Sequence, residues 1–264
     1  GGSRPAVFRG WWPCQNPTMS TATLSTDTTE TVRTELTAWL DENWDPEITL
    51  AEWWGRLAAG GWAHPALPTT AGGRGYGRDL CSAVSTVIAD AGVVGPPMGL
   101  GYMLAAPTIV AHGTPEQVGR FVPEILDGSA AWCQLFSEPG AGSDLAGLQA
   151  KAVRDGDEWI ITGQKVWTSG GQYSNWGMLI ARTDTEAPKH QGITYFAINM
   201  DQPGIEVRPL REMTGEALFN EVFMDEARVP DANTIGGLGN GWKVANTTLA
   251  VERASLGGGG RQPI

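Results

Sequence analysis

The sequence predicts an α+β fold: an N-terminal all-α helical domain, then an antiparallel β-barrel-like domain, then one more helix at the C-terminal end. Three observations carry this. Apolar residues recur at helical spacing up to about Leu126. Beyond Ala130 the pattern changes to short apolar or alternating runs punctuated by turn residues. Those runs follow one another without intervening crossover helices, which leaves antiparallel pairing as their natural connection.

The helices come first. Val32, Leu36, Trp39 and Leu40 share one face of a helix starting near Asp27. A second helix is expected at 50–59, closed by Gly60-Gly61. The Gly/Pro-rich stretch from Pro65 to Gly77 reads as a loop, and helices resume at 79–91 and 99–111. Thr114-Pro115-Glu116-Gln117 combines an N-cap threonine, proline at the first helical position and a capping-box glutamine, so a helix runs from there to about Leu126, before Gly128.

The strands follow. Runs at 150–154 and 158–168 flank Asp155-Gly156-Asp157, a hairpin signal, and further runs lie at 176–182, 193–200, 205–209 and 218–223. A last helix opens at Gly239-Asn240-Gly241-Trp242, continues through Val244, Leu249 and Val251, and stops at the Gly257–Gly260 run. The chain thus divides into a leader at 1–26, expected to be disordered, a helical domain at 27–130, a β domain at 131–236 and a final helical segment at 237–264. The leader lacks the apolar core and small-residue cleavage pattern of a signal peptide.

A formal charge of −11 argues against broad binding to nucleic acid or an anionic membrane, and no apolar run approaches the length of a membrane span. Cys14, Cys81 and Cys133 are odd in number and far apart, which suggests reduced cytosolic thiols rather than a disulfide framework. His64, His112 and His190 are dispersed, so no metal is expected. The turn Lys189-His190 reads as solvated, with a phosphate contact as the other reading.

The stretch from Trp132 to Gly170 carries the chemistry. In Ser137-Glu138-Pro139-Gly140-Ala141-Gly142-Ser143-Asp144, a proline and two glycines one residue apart suit a loop that turns backbone N–H groups toward an anion, and Ser143 adds a hydroxyl. About twenty residues on, Gly163-Gln164-Lys165-Val166-Trp167-Thr168-Ser169-Gly170 sets a wide aromatic beside two hydroxyls, as a flat heteroaromatic ring requires. A dinucleotide-binding fingerprint is excluded, because Leu145 occupies its sixth position and no βαβ unit surrounds the segment.

Together these words, from Trp132 to Asp144 and from Gly163 to Ser169, closely resemble the acyl-CoA dehydrogenase flavoenzymes, and the resemblance extends from about Leu50 to about Leu256. It implies FAD as cofactor and oxidation of an acyl-CoA to its 2,3-enoyl form, with a proton leaving Cα and hydride passing from Cβ to flavin N5. Gln134, Leu135, Phe136 and Ser137 match the segment along the flavin. Gly142 and Ser143 match the pyrophosphate contact, with Ser143 also reaching the acyl-CoA, and Trp167, Thr168 and Ser169 match the second flavin segment. Serine stands at 137 and 169 where many members carry threonine, which keeps the hydroxyl. In the isovaleryl-CoA and long-chain subgroup the catalytic base is a glutamate immediately before an arginine, here Glu252-Arg253, with Arg253 toward the CoA end. In most members that base comes from a C-terminal helical bundle, of which residues 237–264 resemble only the opening helix. An ordinary helix-surface glutamate is the other reading of Glu252, and Glu138 is the weaker candidate base, better suited to supporting its loop.

The resemblance also implies an electron-transfer flavoprotein as acceptor and a homo- or hetero-oligomer. Two alternatives stay open: an acyl-CoA oxidase, and a non-catalytic fragment or partner subunit.

Overall fold

A computed structural model of the chain describes residues 27–257; the expectations for 1–26 and for the stretch after Gly257 lie outside the described residues. Helix α1 (Thr29–Asn43) starts at a Thr28–Thr31 capping box and buries Val32, Leu36 and Leu40, the expected face. Helix α2 (Leu50–Ala59) starts at a Thr49–Glu52 box and buries Trp53 and Leu57. Helix α3 spans Arg78–Asp90.

The helix expected at 99–111 is in two parts. Gly101–Ala105 forms a π-helical turn, and α4 (Ala106–His112) continues from it. Pro107 is the reason: it has no N–H for the carbonyl of Met103, so the regular ladder cannot run through. Helix α5 (Pro115–Leu126) has the Thr114–Gln117 box read from the sequence. Gln117 does more than cap, since its Nε2 donates to the carbonyls of Ala232 and Thr234 at 2.8 and 2.9 Å and ties α5 to the sheet.

Among the described residues eight strands form one sheet: β1 (Trp132–Leu135), β2 (Lys151–Asp155), β3 (Glu158–Ser169), β4 (Trp176–Arg182), β5 (Ile193–Asn199), β6 (Ile205–Leu210), β7 (Phe219–Pro230) and β8 (Thr234–Ile235); seven run in the order β6-β7-β3-β2-β4-β5-β8, and β1 pairs with β4 off this path. The β2–β3 hairpin turns at Gly156, where φ is +65°. One correction to the all-antiparallel expectation follows from β1, which pairs parallel with Trp176–Leu179 of β4, while β2 takes the far end of the same edge at Arg182. The sheet is therefore mixed. Strand β7 runs on past Phe223, its expected end, through a positive φ of 55° at Glu226.

Two apolar cores result. Met178, Ile180, Tyr195 and Ala197 face the helices in the first; Leu179, Ala181, Phe196 and Ile198 alternate with them into the second, within the sheet. Phe121 of α5 packs edge to face with Trp132 and Trp176, which stack on each other; the centroids are 5.1–5.9 Å apart, and the three rings hold the helices on the sheet.

Helix α6 (Gly241–Gly257) lies across β5 and α4 with Val244, Ala245 and Thr248 fully buried. Its first residue must be glycine, because a Cβ there would sit 2.5 Å from the Thr194 carbonyl carbon.

Candidate active site

The site residues come from β1 and the loop after it, the end of β3, and α6. Along β1 the side chains alternate. Cys133 and Leu135 point into the second core, whereas Trp132 and Phe136 belong to the first. Leu135 has no exposed surface and is out of phase with Gln134 and Phe136. Phe136 is nearly buried against Tyr195, edge to face at 5.9 Å.

At the exit from β1 the Ser137 carbonyl accepts the Val166 N–H at 2.9 Å, which joins the loop to β3. Glu138 and Ala141 exchange two backbone hydrogen bonds of 3.0 Å across Pro139-Gly140, a tight reversal that proline's fixed φ favours. The Glu138 carboxylate is buried and accepts the N–H groups of Gln149 and Ala150 at 2.6 and 2.9 Å. It therefore braces the loop from beneath.

Its third partner is Lys165. The Lys165 ammonium donates to Glu138 Oε1 at 2.9 Å and to the Phe136 carbonyl at 3.0 Å, and the side chain is fully buried. Burial pushes this amine down from 10.5 to about 8, while Glu138 pulls the other way. Lys165 lies in the Gly163–Gly170 segment but matches none of the expected site residues. Its signal was the strand period: Lys165 continues the inward phase of Trp159 and Ile161, where a lone lysine requires a buried anion.

Immediately after Lys165 the β3–β7 register slips, between Lys165 and Thr168. Trp167 sits in that bulge at φ +62°, a left-handed conformation that is costly for an aromatic residue, and its side chain stays 63 % exposed, edge-on to Phe219. Thr168 is fully buried, paired across the ladder with Asn220, and its Oγ1 has no hydrogen-bond partner among the described residues. Ser169 is exposed.

Gly140, Gly142 and Ser143 are also exposed. Neither glycine has a left-handed φ, and a Cβ on either would meet nothing within 4 Å. The fold itself does not demand glycine at 140 or 142. Open space over bare backbone, a hydroxyl at Ser143 and an exposed, strained tryptophan fit a flat ring with an anionic tail, and the residues present are thus compatible with FAD.

On α6, Glu252 is half-buried and its Oε2 accepts from Gln134 Nε2 at 3.4 Å. That contact brings the candidate base to β1. Arg253 is exposed. Lys189 and His190 are exposed, as expected of a solvated turn; the Lys189 ammonium also bonds both carboxylate oxygens of Asp144 at 2.8 and 2.9 Å, and His190 packs against Trp242 of α6. Among the described residues no group of three or more His, Cys, Asp or Glu could hold a metal, and no helix is long and apolar enough to cross a membrane.

Comparison with known proteins gives a consistent picture. The N-terminal domain of acyl-CoA dehydrogenases matches residues 20–129 and the middle domain matches residues 133–226. Acyl-CoA dehydrogenase FadE34 of Mycobacterium tuberculosis is 55 % identical over 188 residues, which is 70 % of this chain and 26 % of FadE34. Acyl-CoA dehydrogenase IpdE1 of the same organism is 44 % identical over 76 % of this chain and 52 % of its own length. The chain thus spans about a quarter to a half of these relatives. Among solved structures, the Tcur3481-Tcur3483 steroid ACAD superimposes with a TM-score of 0.67 at 31 % identity, over 86 % of this chain and 62 % of that one. The ChsE4-ChsE5 complex from M. tuberculosis gives 0.66 at 32 %, over 87 % and 61 %. By both domains, and by the fold that joins them, the chain belongs to the acyl-CoA dehydrogenase family.

Proposed function

We propose that this chain forms the FAD-holding and base-bearing part of an acyl-CoA dehydrogenase that introduces a 2,3 double bond into an acyl-CoA thioester. The observation that carries the reading is the Gln134–Glu252 contact, which sets a half-buried carboxylate from α6 against the strand that leads into the Ser137–Ser143 loop.

In this reading Gly142 and Ser143 address the pyrophosphate, Ser137 and Ser169 supply hydroxyls to the ring edge, and Trp167 covers its face. Bound FAD supplies the chemistry of accepting a hydride from the substrate Cβ. Glu252 takes the Cα proton onto a carboxylate oxygen. Its half-buried place on α6 holds it beside β1. Gln134 orients it by donating to Oε2, and Arg253 lies one residue on for the CoA end. Electrons then leave to an electron-transfer flavoprotein.

The names of the solved relatives support a bulky ring-bearing acyl group and a paired assembly: one is a steroid ACAD and another a two-protein complex. A second reading, that of a partner subunit without turnover of its own, is supported by the two-protein complex among the solved relatives.

The test is to titrate the purified protein with FAD, then incubate it with linear and steroid-ring acyl-CoAs and an artificial acceptor, following product mass. Stoichiometric flavin uptake with loss of two hydrogens from one class is the expected result. Flavin uptake with no such loss across the panel would favour the partner-subunit reading, and no uptake would overturn both.

A further inference from the structure

One turn before Glu252, α6 carries a hydroxyl cluster in the middle of the first core. Thr248 Oγ1 lies 3.0 Å from Thr108 Oγ1 of α4 and 3.4 Å from the Tyr195 hydroxyl of β5, and it reaches the Val244 carbonyl at 3.3 Å. Thr108 and Thr248 have no exposed surface and Tyr195 has 1 %. The hydrogen-bond inventory closes: Thr248 donates to the Val244 carbonyl and accepts from Thr108 and Tyr195, which uses its one proton and both lone pairs. A neighbouring clasp repeats the link, with His112 Nε2 2.7 Å from Thr247 Oγ1.

The surroundings are apolar: Val244, Ala245, Ala105, Ala106 and Phe136 belong to the same core. Val at 108 and 248 with Phe at 195 would fill similar volume without the cost of burying three hydroxyls. The fold therefore does not need polar atoms here for burial. What a directional cluster adds over apolar packing is a single rotation and register of α6 against α4 and β5. Glu252 is the residue most affected, because it follows Thr248 by four positions on the same helix face. A turn of about 20° in α6 would carry its carboxylate on the order of 2–3 Å, enough to lose the Gln134 contact.

We propose that Thr248, gripped by Thr108 and Tyr195, is a positioning residue that sets where Glu252 presents its carboxylate. The inference rests on the reading of Glu252 as the base. Thr248 itself touches no reacting atom.

The test compares Thr248→Val, Thr248→Ser and Glu252→Gln in the purified protein, in whatever assembly it forms, with FAD content and circular dichroism checked first. For Thr248→Val, kcat should fall at least about tenfold with KM changed by less than about twofold, the scale of a misplaced catalytic group rather than lost binding. The acid limb of the kcat–pH profile should move, and amide deuterium exchange across 249–257 should quicken. Thr248→Ser, which keeps the hydroxyl, should restore all three. If Thr248→Val does not fold, Tyr195→Phe removes one grip and is read the same way. Wild-type turnover in Glu252→Gln would overturn the base reading, and this inference with it. Lost turnover in Glu252→Gln, with kcat, pH profile and exchange unchanged in Thr248→Val, would overturn the positioning role alone.

Discussion

Lys165 and Glu138 meet at 2.9 Å with 0 % and 7 % of their side chains exposed, and through that pair the loop after β1 and the bulge at the end of β3 become one unit. The two segments are 27 residues apart in sequence. An apolar pair could fill the space, but it could not also bond the Phe136 carbonyl and two loop N–H groups. The pair therefore specifies geometry, and removing either half strands the other.

Lys165→Met is expected to cost about 3–5 kcal/mol, since it leaves a buried carboxylate uncompensated. Urea unfolding should show this as a lower midpoint. Adding Glu138→Gln should recover at least half of the loss, because the second change removes the stranded charge. Strictly additive losses would mean that the two residues act independently.

The lysine also gives a pH signature. Its amine should titrate near 8 in ¹⁵N-detected NMR. Because the folded value is depressed from 10.5, the penalty for keeping an ammonium in the core is full below pH 8. Between about pH 8 and 10.5 the unfolded chain binds the extra proton, so this group makes stability rise with pH over that window. An amine midpoint at or above 10.5 would contradict the desolvation argument.

Gly142→Ala and Trp167→Gly should separate binding from stability. A methyl at 142 meets open space at an ordinary φ, so its unfolding free energy should change by less than about 0.5 kcal/mol. Glycine at 167 relieves the left-handed strain and loses one exposed ring contact, effects of about 1 kcal/mol that oppose each other. Both variants should bind FAD at least about tenfold more weakly by fluorescence titration, roughly 1.4 kcal/mol. Unchanged affinity in both would remove loop and bulge from the cofactor site.

Thr168→Val is close in shape and deletes a buried hydroxyl that has no hydrogen-bond partner among the described residues. Stability should hold or rise by up to about 1 kcal/mol. A loss above that amount would show that the hydroxyl is satisfied in solution, for instance by a bound water.

Much of this fold could be read from residues alone because the signals were local. The Thr114–Gln117 box, the Asp155-Gly156-Asp157 hairpin and the apolar run along β5 each depend on a few neighbouring side chains. What was missed depended on distant partners. Strand β1 is only four residues long and pairs parallel with β4, which no local pattern announces. The π-turn needed Pro107 read as a defect in the helix. In the site, the expectation that Glu138 supports its loop matches the bonds found, and the inward phase of Leu135 follows from strand alternation across Gln134, Leu135 and Phe136. Lys165 was hidden because a lysine in a strand normally reaches solvent, and its acid lies in another segment.

The most direct test of the central claim is anaerobic mixing of FAD-reconstituted protein with its best acyl-CoA, wild type against Glu252→Gln. The expected result is that both bind the ligand, that the wild-type flavin band bleaches, and that the Glu252→Gln band holds or bleaches at least about 10³-fold more slowly. Bleaching of Glu252→Gln at the wild-type rate would contradict the account, because the α proton would then be leaving to some other group.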